Sequence, residues 1–487
     1  MLQKNIDVRS HFIKLLTQIK RVSSVFRLKA HDTSTVGGRS KERLRRAGLT
    51  TFSTGWARAI SQLIALVTVP LTFNYLGPER YGLWMVLGSI IAAMGIADLG
   101  IGNGLLNAIS DAYGRDDHRL ARECVTSAFM MMLGIATFLA LLGTVAYPFI
   151  PWVRLFNVKS TAVAAEGSKA LVILFSWFVL NIPLGVIGRA QAGLQKGYLP
   201  QLVGSFGSIV TLGALLLVIR SHGSLAWLVF ASTVGSILGI IINAVILFRE
   251  HPWLVPTLSS YSAATAKRIL KLGLMFFVLQ CGVAISYNSD NLVITQILGA
   301  AAVAAYAVPQ KLFSFLQTVV GMAILPLWPA YGEAIARGDV AWVRRVFVGS
   351  FWLALAITVP LSTGMVLACP WILRVFFGKA LLAPTALLVV LAVWVVINAI
   401  AVVTAILLNG AGVLREQMVV VIISSVSNLA LSIFLTRSFG VMGVCLGSII
   451  TQVLITLPVY FVLISSLFRK LERTKIENAV NNAPSMG

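Results

Sequence analysis

Four ionisable residues stand inside long apolar runs of this 487-residue chain: Arg58, Asp98, Asp290 and Lys311. A charged side chain in hydrocarbon costs roughly 2.5–3.5 kcal/mol on insertion scales, so one that is present has a task or a partner. The chemistry open to these four is electrostatic. A guanidinium or an ammonium attracts an anionic group such as a phosphate. A carboxylate neutralises such a cation, or takes up a proton or a metal cation. Asn103 and Asn107 stand one helical turn apart and can hydrogen-bond sugar hydroxyls or a neighbouring helix. Arg189, Gln191, Gln195 and Lys196 cluster where an apolar run ends. They form either a solvated loop or a docking point for a diphosphate group.

No catalytic set accompanies them. His11, His31, His118, His222 and His251 are scattered. Cys124, Cys281, Cys369 and Cys445 lie far apart without metal-ligand spacing and read as small apolar fillers. No GxxxxGK[ST] loop for nucleotide phosphates occurs. The residues give no reason to expect a metal or an organic cofactor.

The elements that hold these residues follow from composition. Hydrophobic residues make up 58% of the chain and charged ones 11%, against about 25% charged in a soluble domain. Apolar runs of about 20 residues recur, each long enough to cross hydrocarbon as a helix, and lipid forces their backbone groups to pair internally. The alternation of a membrane β-barrel is absent. The spacing predicts twelve helices: 50–75, 81–109, 123–149, 166–190, 200–220, 225–248, 271–297, 301–328, 346–370, 384–409, 416–437 and 441–466. An even number puts both termini on one side. Most of the 39 Lys and Arg fall in the tails and in alternate connections, which makes those the cytoplasmic ones. The net charge of +22 therefore reads as topology, N-in and C-in, and not as a nucleic-acid surface.

Counting about 1.5 Å per residue from the nearest outer turn, Asp290 and Lys311 fall near midplane, and Arg58 and Asp98 toward the inner end. Each acid has a base at matching depth, so the expected pairs are Arg58 with Asp98 and Asp290 with Lys311. Such pairs either neutralise buried charge or line a wet cavity; Arg58 has the further option of snorkelling to the interface. A small or polar stripe through Thr51, Gly55, Arg58 and Gln62 gives the first helix a cavity-facing surface. Gln280 and the run Tyr287 to Asn291 do the same for the seventh, and Gln310, Ser314 and Gln317 for the eighth.

Five regions follow. Residues 1–47 are a basic cytoplasmic extension without the apolar core of a signal peptide. Phe12, Leu15, Leu16, Ile19, Val22 and Phe26 recur there at helical spacing among basic residues, so it is either an amphipathic helix on anionic phospholipid or a tail that only enforces topology. Residues 31–38 look like a flexible linker. Residues 48–250 form an N-lobe, 251–270 a cytoplasmic linker, 271–466 a C-lobe and 467–487 a cytoplasmic tail. The lobes repeat weakly. LGPERYGLW at 76–84 aligns with LGAAAVAAY at 298–306, and RDDHRLARECV at 115–125 with RGDVAWVRRVF at 337–347, both at an offset of 222. An offset of 217 sets Gly193 on Gly410. Two six-helix copies enter the membrane in the same orientation. They are related by a pseudo-two-fold axis along the membrane normal, with a substrate site expected between them.

At YLGPERYGLW (75–84), followed by ADLGIGNGLLNAISDAYGRDD (97–117), the chain resembles the polysaccharide-biosynthesis flippases, the O-antigen and exopolysaccharide-repeat transporters of the multidrug/oligosaccharidyl-lipid/polysaccharide exporter superfamily. The segment SDNLVITQILGAAAVAAYAVPQKLFSF (289–315) is similar to the corresponding region of that family. The likeness covers about residues 48–466, and the extension 1–47 departs from the usual short tail. It implies that a polyprenyl-diphosphate-linked oligosaccharide is moved from the inner to the outer leaflet by alternating access. Arg58, Lys311 and Arg189 would meet the diphosphate, with Asp98 or Asp290 as coupling groups for a proton or sodium gradient; Gln62, Asn103 and Asn107, singled out by their types and spacing, are the candidate polar contacts to the substrate. Glycan-assembly proteins are candidate partners. Two rivals remain. A cation-coupled multidrug exporter of the same superfamily should present acids and aromatics where this chain has Arg58. A membrane glycan polymerase or ligase should carry large outer loops, which are missing.

Overall fold

The computed structural model describes residues 30–93, 98–149, 161–377 and 383–481. In chain order its helices are α1 (Val36–Ala93), α2 (Ile101–Gly114), α3 (His118–Ala146), α4 (Thr161–Gly193), α5 (Tyr198–Arg220), α6 (Leu225–Glu250) and α7 (Ala263–Leu298). There follow α8 (Ala300–Ile324), α9 (Leu327–Ala336), α10 (Val340–Phe377), α11 (Thr385–Gly410), α12 (Arg415–Phe439), α13 (Met442–Thr451) and α14 (Leu457–Asn481). Among the described residues, eleven helices are long and apolar enough to cross a membrane. The remaining expected span, 81–109, passes through residues 94–97, which lie outside the described ones, as does the basic stretch 12–26.

The helices group into two compact units. One draws on Met1–Gly95 and Phe129–Val255, the other on Ile96–Ala128 and Pro256–Gly487. In the first, Leu76, Leu225, Leu228 and Val229 close the core. In the second, Leu387, Leu388, Leu391 and Val395 of α11 pack with Tyr306 and Phe313 of α8. The second unit also takes in α2. Gly100 and Gly104 let that segment lie backbone to backbone on α7: a Cβ at Gly100 would collide with the Gly273 carbonyl, and one at Gly104 would stand 2.7 Å from the Ile269 carbonyl. Small residues allow this approach in lipid, where packing and not hydrophobicity joins helices.

The duplication read from sequence returns as duplicated backbone. Gly77 interrupts α1 with φ 71 and ψ 171, and Gly299 separates α7 from α8 with φ 89 and ψ 160. Only glycine takes such angles without strain. Asp116 and Gly338, 222 positions apart, are both left-handed, at φ 56 and 72. The Asp117 N–H bonds the Ala112 carbonyl at 3.0 Å and the Asp339 N–H bonds the Ala334 carbonyl at 2.9 Å, closing the same helix end twice. Asp117 then accepts from the Leu120 N–H at 2.9 Å and Asp339 from the Trp342 N–H at 3.3 Å, so each starts the next helix. Gln195 and Gly412 repeat the left-handed turn once more, at φ 59 and 70.

Local chemistry moves three expected boundaries. The linker expected at 31–38 yields to helix from Val36, because the Thr35 hydroxyl accepts from the Gly38 N–H at 3.0 Å and the buried Glu42 binds Arg45 and Arg46 at 2.6 and 2.8 Å. The expected helix 81–109 is not continuous: residues 98–100 form a turn, with Leu99 and Gly100 at φ 49 and 72. The helix expected at 301–328 ends at Ile324, and Pro326, which has no N–H to give, caps α9.

Candidate functional site

Six helices of the second unit, α7, α8 and α11 to α14, surround a cavity of about 240 Å³ that Asp290 of α7 lines. Ser286 of α7, Gln310 of α8, Asn398 of α11 and Asn428 of α12 face it too. Ser448 and Thr451 of α13 complete the wall with the segment Gln452–Thr456. That segment is a turn of π-helix between α13 and α14. A π-turn shifts the carbonyl register within an otherwise regular helix and recurs at functional sites.

The cavity's polar atoms are partly used. The Tyr306 hydroxyl donates to Oδ2 of Asp290 at 2.9 Å. The Ser425 hydroxyl donates to the Gly282 carbonyl at 3.1 Å, the Ser286 hydroxyl lies 3.2 Å from Ser425 Oγ, and Nδ2 of Asn428 donates to Ser448 Oγ at 2.8 Å. Three buried oxygens have no partner: Oδ1 of Asp290, Oδ1 of Asn428 and Oγ1 of Thr451. Asp290 is 4% exposed. A carboxylate so enclosed needs a compensating positive charge or a proton.

Lys311 does not supply it, contrary to the expected pair. Asp290 binds Tyr306 instead, and Lys311 is exposed. The reason is helical phase. Tyr306 and Lys311 are five residues apart on α8, about 140° around the helix, so burying the tyrosine turns the lysine away. Asp98 also has a role the sequence reading did not foresee. Its Oδ1 accepts from the Gly100 N–H at 2.9 Å, and its carbonyl accepts from the Ile101 N–H at the start of α2. A carboxylate beside a helix N-terminus is favoured by the dipole. Arg58 belongs to the first unit and Asp98 to the second.

Of the two asparagines, Asn107 is committed to neighbouring helices. Its Nδ2 donates to the Asn409 carbonyl at 2.8 Å and its Oδ1 accepts from the Trp328 indole at 2.5 Å. Asn103 is half-buried on the same helix. Arg58 and Gln62 are exposed on one face of α1, and Arg189 is half-buried on α4. Lys196 meets Glu250 at 2.7 Å and the His251 ring at 3.1 Å.

The sequence reading missed Tyr306, Asn428, Ser448, Thr451 and the π-turn. A signal for most of them was present. Ser424, Asn428 and Ser432 recur every four residues, as do Ser448, Gln452 and Thr456, which marks a polar stripe on each of two apolar helices. Also unforeseen is the Arg337 guanidinium, which binds both oxygens of Asp116, the Tyr113 carbonyl at 3.2 Å and the Glu333 carboxylate. The Asp116 and Glu333 carboxylates hold it well above the ordinary arginine range.

Comparison with known proteins fits this architecture. The family model described as "Polysaccharide biosynthesis protein" matches residues 49–335, and the MatE model matches residues 276–434. A protein of Yersinia pseudotuberculosis named for O-antigen export is 23% identical over 289 residues, 58% of this chain and 64% of that one. A protein of Shigella flexneri named for O-antigen transport is 20% identical over 401 residues, 80% of this chain and 91% of its own length. The match thus spans just under two thirds of the Yersinia relative and nearly all of the Shigella one. Among solved structures, a MATE crystal structure in the bent conformation superposes with TM-score 0.73 at 15% identity, covering 90% of this chain and 98% of the other. A MOP superfamily transporter from Pyrococcus furiosus superposes with TM-score 0.71 at 15% identity, covering 89% and 97%. At such identities the likeness establishes the fold, an all-α polytopic membrane protein of twelve helices in two lobes. With the family model covering more than half of its length, the chain belongs to the polysaccharide biosynthesis protein family.

Proposed function

We propose that the chain is a flippase. It carries a polyprenyl-diphosphate-linked oligosaccharide from the inner to the outer leaflet of the bacterial cytoplasmic membrane, N-in and C-in, by alternating access. The observation that carries the reading is the family match over residues 49–335, to which the O-antigen names of two relatives add the cargo class. Arg58, Lys311 and Arg189 are the cations offered to the diphosphate, and Gln62 and Asn103 the polar groups beside them. Anionic phospholipid under residues 1–47 and glycan-assembly proteins remain proposed partners.

Energy enters at Asp290. Its free oxygen, with Oδ1 of Asn428 and Oγ1 of Thr451, offers oxygen donors from three helices. Such hard donors suit a proton or an alkali cation, as at broken helices in other secondary transporters. The drug-exporter reading has the MATE superpositions in its favour, and those reach only as far as the fold. The test is a deletion strain. Accumulation of the complete lipid-linked repeat unit on the inner leaflet supports the reading, and normal export of surface glycan overturns it.

A further inference from the structure

The first unit holds a second cavity, about 510 Å³, between α1, α4, α5 and α6. Its volume lies in the range of small-molecule sites. Among the described residues, no charged side chain lines it.

Five of its glycines are of two kinds. Gly207 and Gly235 are packing residues: a Cβ on Gly207 would stand 2.5 Å from the Gly235 carbonyl, and one on Gly235 would collide with the Gly207 carbonyl. Gly185, Gly188 and Gly204 differ. A Cβ on any of them would meet nothing within 4 Å. Glycine inside a helix is less favourable than alanine by about 1 kcal/mol, and packing does not require it at these three positions. What they provide is room.

Asn243, Ser208 and Ser232 present acceptors to the wall, and Ser61, Asn181, Thr211 and Ser236 add hydroxyl and amide groups that both donate and accept. Asn243 is 7% exposed and lines the cavity. Its Nδ2 donates to the Gly239 carbonyl at 2.9 Å and its own carbonyl accepts from Gln191 at 3.3 Å. Its Oδ1 has no partner. The Ser208 and Ser232 hydroxyls donate to carbonyls of their own helices at 3.1 and 2.6 Å, so their protons are committed and their lone pairs are free. A hydrocarbon chain would leave Asn243 Oδ1 unsatisfied, a loss of about 1–3 kcal/mol. A cation or an anion would find no counter-charge. The complement is a neutral molecule rich in hydroxyls, which both donate and accept.

We propose that this cavity binds an uncharged saccharide, whose hydroxyls meet the polar wall of Asn243, Ser208 and Ser232. The assignment rests on the flippase reading for its choice of saccharide over other neutral donors. It gives the glycan a seat within the first unit, which also carries Arg58 and Arg189.

The test uses the full chain in lipid nanodiscs, with Ser61→Cys at the cavity wall and Cys281→Ser to silence the least buried native thiol. The probe is the phosphate-free, lipid-free oligosaccharide released from the host's surface glycan. At ten times its dissociation constant it should slow maleimide labelling about tenfold, since mass action leaves about a tenth of the sites empty. Gly188→Leu, which fills open space, and Asn243→Leu should each abolish the protection. Labelling unaffected by the oligosaccharide, or slowed as much by a polyprenyl phosphate without sugar, overturns the assignment. The deletion strain separates the two readings. Accumulated lipid-linked glycan without protection removes only the cavity assignment. Protection without a defect in glycan export keeps a saccharide site and removes the flippase.

Discussion

Arg337 grips Asp116 through two hydrogen bonds, at 2.6 and 2.7 Å, and the two residues lie in the two copies of one duplicated turn. Arg337 stands where the first copy has Arg115, and each arginine binds the acid four residues before it, Glu333 or Asp111. The pair therefore ties a turn of the first repeat to its counterpart in the second, within the second unit. Asp116→Asn and Arg337→Gln should each lower thermal stability modestly. The double variant should lose less than the two singles together, with a coupling of about 1 kcal/mol. Strict additivity in a double-mutant cycle would show that the contact carries no energy.

Asp290→Asn should abolish glycan export with normal protein levels, because the amide cannot take up a proton or compensate a cation. Tyr306→Phe removes the donor to Oδ2 and leaves the carboxylate, so a partial defect is expected. Immunoblots of surface glycan beside blots of the protein read both. Full export in Asp290→Asn would refute the coupling role.

Arg58→Ala and Lys311→Ala should each reduce surface glycan roughly tenfold or more, the loss of one charge-assisted hydrogen bond. Protein levels should hold, since neither side chain is buried. Normal glycan in both variants would remove the cationic contact with a diphosphate.

Glu42 is 3% exposed and its carboxylate accepts from Arg45, Arg46 and the His31 N–H. Glu42→Ala leaves two guanidinium groups without this counter-charge. A loss on the order of 3 kcal/mol is expected, read as a lower unfolding temperature in detergent. An unchanged melt would mean that helix α1 does not depend on this cluster at its start.

Topology is open to a direct check. A cysteine at Ser221, between α5 and α6, should react with an impermeant maleimide added outside intact cells. One at Arg119, whose side chain is 91% exposed, should react only after permeabilisation. The reverse pattern would invert the orientation proposed here.

The sequence by itself determined that the chain crosses a membrane as a bundle of helices, and that its two halves are copies. Length and apolarity decide the first, because lipid offers backbone groups no partner other than their own helix. The second survived as spaced glycines and aspartates, because a left-handed turn and an N-cap tolerate few residues; Gly77 with Gly299 and Asp117 with Asp339 are the visible cases. The burial of Glu42 and Glu333 went unread, whereas that of Asp290, like Asp98 an acid in an apolar run, was legible. Its partner was not. Matching depth pointed to Lys311, whereas helix phase and the packing of α8 chose Tyr306 and turned the lysine outward. Only the tertiary structure set Asn428 and Thr451 in one cavity wall with that carboxylate and placed a π-turn after α13. These depend on contacts between residues up to about 160 positions apart, and a pattern read along one helix carries no information about which face of another will meet it.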